Sequence, residues 1–134
     1  MANNYCQFSG AFGIPAEQKD KAREIIDRIK KEFEKDEDYG RLCCDVEVEE
    51  DGAGFLVWLH DDGEYGNPEH AETLARALIE ELKPDKPFIL SWAFTCSKPR
   101  LDEFGGGAFC IIRGKDTFWV DAQNAAGDWA DKNK

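Results

Sequence analysis

Chemistry-bearing residue types concentrate in one stretch of this chain. Thr95, Cys96, Ser97, Lys98 and Arg100 lie within six residues, and Gly105, Gly106 and Gly107 follow shortly after. Three readings compete for that stretch. In the first, the glycines form a bulge or sharp bend where a neighbouring backbone comes close, and Lys98-Pro99-Arg100 is a stiff connector. In the second, the glycine amides form a nest for an oxyanion, with charge from Lys98 and Arg100 and donors from Thr95 and Ser97. The glycines precede a strand rather than a helix, and no G-x-x-x-x-G-K-[ST] is present, so helix-dipole assistance is missing. In the third, Cys96 is a thiolate activated by the two cations, with His60 or His70 as base. No nucleophile elbow, dinucleotide fingerprint or H-E-x-x-H accompanies it, so the structural reading comes first, binding of a small anion such as a nucleotide or phosphate second, and an enzyme centred on this loop last.

A second cluster is acidic. Residues 32–72 hold fifteen acids against Lys35 and Arg41, a net of −13, whereas residues 83–115 carry a net of +3. Duplex nucleic acid demands a basic footprint, so direct binding to it is not expected. A basic protein partner suits this charge better. Asp45, Glu47 and Glu49 alternate with apolar residues and are the candidate contacts. Asp61, Asp62 and Glu64 lack the spacing of an EF-hand loop and read as solvated acids.

The five cysteines include no C-x-x-C pair, and with two histidines they make no tetrahedral set, so neither metal nor cofactor is expected. They read as thiols of a reducing cytoplasm. No apolar run approaches the roughly 20 residues that span a bilayer. Met1-Ala2-Asn3-Asn4 lacks a basic or apolar segment, so no signal peptide is expected.

The elements that would position these residues follow from periodicity. Tyr5-Cys6-Gln7-Phe8-Ser9 reads as a strand, loosened by Gly10 and Gly13, and Ile14-Pro15 introduces a helix with Ala22, Ile25, Ile26, Ile29 and Phe33 on one stripe. The acidic run 34–38 closes that helix. Residues 42–49 and 55–60 form a hairpin around the turn at 51–54. Asn67 caps and Pro68 opens a second helix, with Ala71, Leu74, Ala75, Leu78, Ile79 and Leu82 inward and Pro84 at its end. In its first turn, His70 reads as a surface residue. Strands follow at 88–96, 107–113 and 117–121. The tail, 123–134, reads as a short helix or flap anchored by Trp129.

A single domain over residues 1–134 results, of α+β class. The order β-α-β-β-α-β matches a ferredoxin-like antiparallel sheet with two helices on one face, extended by a C-terminal β-hairpin. The open face would show Tyr5, Gln7, Ser9, Asp45, Glu47 and Trp58. RNA-recognition domains use that face on the same topology, but here it is acidic.

Ser91-Trp92-Ala93-Phe94-Thr95-Cys96-Ser97-Lys98-Pro99-Arg100, then Phe104-Gly105-Gly106-Gly107-Ala108 and Phe118-Trp119, resembles a motif of a group of small phage and mobile-element proteins, W-x-x-T-C-S-K-P-R followed by F-G-G-G-A. The likeness covers residues 91–121. It implies a phage or mobile-element setting and carries no activity or catalytic residue with it. Within that setting, an inhibitor of a basic, nucleic-acid-binding host or defence protein is expected.

Overall fold

The computed structural model describes residues 4–35, 40–63, 66–84, 86–97 and 104–134. The acidic run at 36–38, Glu64, Lys98 and Arg100 lie outside the described residues. Among those described, the chain is α+β, with six strands in one antiparallel sheet and three α-helices.

β1 (Asn4–Pro15) is more than twice the length that the sequence suggests. Its first half pairs with β4 (Phe88–Cys96) and its second half with β3 (Gly54–His60). Gly10 stands where one neighbour gives way to the other. A Cβ there would lie 2.8 Å from the Ile89 carbonyl oxygen, so the glycine admits a close backbone rather than ending the strand. Pro15 accordingly ends β1 instead of opening a helix. A 3-10 turn (Ala16–Gln18) intervenes before α1 (Lys19–Glu34).

β2 (Asp45–Asp51) pairs with β3, and its first residue falls three positions later than expected. The reason is tertiary. Cys43 is held by the start of α2 (Pro68–Leu82): its N–H donates to His70 Nδ1 at 2.9 Å, and its carbonyl accepts from the Asn67 N–H at 2.9 Å. Beyond β4 the sheet continues with β5 (Gly105–Ile111) and β6 (Phe118–Asp121). The order across it is β2-β3-β1-β4-β5-β6, which departs from a simple β-α-β-β-α-β sheet in carrying two more strands past β4.

α1 and α2 bury one face of the sheet. Ala22, Ile25, Ile26 and Ile29 of α1 join Leu74, Leu78 and Leu82 of α2 over Phe8, Phe12, Val57, Leu59, Phe88, Leu90, Phe109 and Ile111 in one cluster. Phe88 packs between Phe12 and Phe109, with ring centroids 5.7 and 6.0 Å away. α2 begins as its sequence dictates, with Asn67 Oδ1 accepting the Glu69 N–H at 2.9 Å. It ends on Lys83, left-handed at φ 53°, because the α conformation is disfavoured ahead of Pro84.

His70 is a correction to the sequence reading. It is buried, packed against Phe33 at 4.4 Å between centroids with the rings tilted 45°, and it accepts the Cys43 N–H. A place in the first helical turn suggests exposure, but the segment entering β2 and Phe33 cover the ring.

The hairpin of β5 and β6 is tied to α2 through polar groups. Arg76 donates to the Ile112 carbonyl at 3.3 Å and to Thr117 Oγ1 at 2.6 Å, and Glu80 accepts the Gly114 N–H at 2.9 Å. That N–H holds the Glu80 carboxyl below the usual range, with Arg76 adding to it against a desolvation cost. α3 (Ala122–Lys132) then runs off β6, capped by Asp121, whose Oδ1 accepts the Asn124 N–H at 2.9 Å. No residue of α3 is buried, and Trp129 is 68% exposed, so it does not anchor the tail.

Candidate functional site

The second face of the sheet carries the acidic candidates. Alternation along β2 puts Asp45, Glu47 and Glu49 on one side at about 6.8 Å intervals, opposite His60, Trp58 and Leu56 of β3. All three carboxylates are exposed, while Val46 and Val48 between them pack towards the core. Register extends the same face to Ser9 and Ala11 on β1 and to Ser91 and Ala93 on β4.

That face is internally ordered. The Trp58 indole N–H donates to Ser9 Oγ at 2.8 Å, and its ring lies against His60 at 4.2 Å between centroids. His60 Nε2 is 3.1 Å from a Glu47 carboxylate oxygen, an ion pair when the ring is protonated. His60 Nδ1 lies 2.6 Å from the Asp61 carbonyl oxygen. Asp61 itself is structural: Oδ1 accepts the Phe8 N–H and Oδ2 the Gly63 N–H, each at 2.9 Å. Oδ1 thus ties the end of β3 to β1, while Oδ2 closes the turn that follows β3. Among the described residues no three His, Cys, Asp or Glu side chains gather as metal ligands would.

The Thr95 to Gly107 candidates are spread over two strands. Thr95 sits opposite Tyr5 on the open face, and Cys96 opposite Asn4 on the helix-bearing face. Ser97 follows at a bend. Gly105, Gly106 and Gly107 are strand residues facing Phe94, Ala93 and Trp92 of β4. Their amides run along a ladder, whereas a nest needs successive N–H groups that converge. A Cβ on Gly107 would meet the Val120 carbonyl oxygen at 2.1 Å and Trp92 Cζ2 at 2.8 Å, so this position excludes any side chain.

Neither histidine stands by Cys96. His60 is opposite Ser9 on the open face, five β1 positions from Asn4, about 17 Å along the strand. His70 is buried between Phe33 and the Cys43 amide. Two other thiols are chemically quiet. Burial, reinforced by Asp61, pushes Cys6 up to about 11, and burial likewise raises Cys44. Near pH 8, Cys6 in the native protein is therefore expected to alkylate at least about tenfold more slowly than in the unfolded chain. Mass mapping of iodoacetamide adducts checks this, and equal rates would contradict it.

One constellation has no counterpart in the sequence reading. Trp92 and Phe94 of β4, Trp119 and Asp121 of β6, and Asn67 and Glu69 at the start of α2 line a cleft of about 430 Å³. Its parts are separated by more than twenty residues at each step, and register brings them together. In the sequence, the large apolar residues Phe88, Leu90, Trp92 and Phe94 at alternate positions of β4 are the one signal that points to it. No protein-family model matches the chain, and no curated protein or solved structure matches it.

Proposed function

We propose that this protein is a non-enzymatic binding module of phage or mobile-element type, which docks a basic protein through the acidic edge of its open sheet face. The observation that carries this reading is the placement of Asp45, Glu47 and Glu49 together, exposed, on the face that α1 and α2 leave uncovered. Three carboxylates in a row along a strand offer a regular line of negative charge, and a protein built to hold phosphates would meet them with its lysines and arginines. Trp58 and His60 beside them supply flat apolar area of the kind that anchors interfaces. Charge on an edge strand also deters strand addition, which directs a partner to the face.

In this reading the scaffold is a ferredoxin-like unit of β1, α1, β2, β3, α2 and β4, extended by the β5 and β6 hairpin. It is supported by the run β2-β3-β1-β4 within the sheet and by the shared core of the two helices. The partner would be a nucleic-acid-binding host or defence protein, inhibited by occupation of its phosphate-binding surface.

The triple variant Asp45→Lys, Glu47→Lys, Glu49→Lys tests this. All three side chains are exposed, so each change should alter stability by no more than about 0.5 kcal/mol. Capture of basic proteins from a bacterial lysate on immobilised wild type should be salt-sensitive and should fall at least about tenfold with the variant. Capture that the variant leaves unchanged, or that rises with salt, would remove this reading.

A further inference from the structure

The three glycines have a consequence on the helix-bearing face. Phe88 and Leu90 of β4 are buried in the core with α2, but Trp92 and Phe94, on the same side of that strand, are half-buried and exposed, respectively, and line a cleft with the first residues of the helix. Opposite them on β5 stand Gly107 and Gly105, which put no side chain on that face. The Trp92 ring thus lies directly over the Gly107 backbone. Trp119, reaching over from β6, meets Trp92 with ring centroids 5.5 Å apart and planes 56° to each other. Trp119 is supported from below by Phe109 at 4.9 Å. The result is an angled aromatic wall, with Trp119 41% and Phe94 42% exposed.

Two carboxylates stand around this wall. Glu69 comes from the first turn of α2, and Asp121 ends β6 and caps α3. No Lys, Arg or His is among the described residues lining the cleft. Aromatic faces carry negative potential and attract a cation placed over them, most strongly over tryptophan. Carboxylates add to that field, and the chain's formal charge of −11 adds a long-range bias.

We propose that this cleft binds an organic cation, an ammonium or guanidinium group, seated against Trp92, Trp119 and Phe94 and charge-paired with Glu69 and Asp121. The volume of about 430 Å³ suits a small molecule or one long basic side chain, at the lower end of ligand-pocket sizes. The site lies on the other face of the sheet from Asp45, Glu47 and Glu49. It therefore stands independently of the reading above, and the triple lysine variant should leave it intact.

The test is an NMR titration that follows the indole N–H signals, assigned by single Trp→Phe substitutions. Choline and its neutral isostere 3,3-dimethylbutan-1-ol are compared, with short capped peptides holding one lysine, one trimethyl-lysine or one arginine, and with AMP. Shifts at Trp92 and Trp119, with the cation bound about fivefold or more tighter than the isostere, are expected. Tighter binding of choline marks a free small cation as the natural occupant, and tighter binding of a peptide marks a protein side chain. The double variant Glu69→Gln, Asp121→Asn should weaken the cation about tenfold while leaving the isostere unchanged, since asparagine still caps α3. Equal affinity for cation and isostere, preferential binding of AMP, or shifts confined to Trp58 and Trp129 would overturn the proposal.

Discussion

Gly107→Ala is expected to destabilise the protein by about 3 kcal/mol and to lower Tm by about 10 °C. The added Cβ would fall 2.1 Å from the Val120 carbonyl oxygen and 3.0 Å from the Asp121 Cα, and it would also press on the Trp92 ring. Two of these three neighbours are backbone, so no rotamer change relieves the clash, and β5 must separate from β6. Gly105→Ala is the control. Its Cβ would meet Phe94 Cδ2 at 4.0 Å, an ordinary contact, and a change below about 1 kcal/mol is expected. Thermal unfolding of the two variants separates a glycine needed for close packing from glycines kept for a ligand. A Gly107→Ala protein that melts with the wild type would show that β6 does not lie where the register puts it.

His70→Ala is expected to cost a similar amount, about 3 kcal/mol, through two separable losses. The ring fills space against Phe33, and Nδ1 accepts the Cys43 N–H. Alanine leaves a cavity and a part-buried donor without its acceptor. His70→Phe keeps the ring and removes the acceptor, so about 1–2 kcal/mol of the loss should remain. Denaturant melts of both variants measure the difference. The same bond fixes the segment that enters β2, so His70→Ala should also loosen the acidic edge and weaken capture of a basic protein. Equal stability of His70→Ala and wild type would contradict the buried geometry.

Local rules were enough for some elements. The Asn67 cap, Pro68 and the stripe from Ala71 to Leu82 define α2 almost to the residue, and alternation in β2 and β4 assigns their faces correctly. Other features depend on neighbours distant in sequence. Gly10 and Gly13 look like breaks in a strand, yet Gly10 marks the place where β1 passes from β4 to β3. Leu42 and Cys44 continue the apolar alternation of Val46 and Val48, but bonds from Cys43 to Asn67 and His70 hold that segment outside the sheet. Trp129 looks like an anchor because tryptophan is usually buried, and here it stands exposed on α3. The acidic face was legible because a strand sorts its side chains by parity alone. The aromatic cleft was not, because it needs β4, β6 and the start of α2 placed side by side.

Hydrogen–deuterium exchange of the protein, alone and saturated with a captured basic partner, tests the docking face most directly. Slowed exchange across residues 45–60, covering β2 and β3, is predicted, with the protection lost at moderate salt. Protection confined to residues 118–132, with β2 exchanging as in the free protein, would contradict docking on the acidic face.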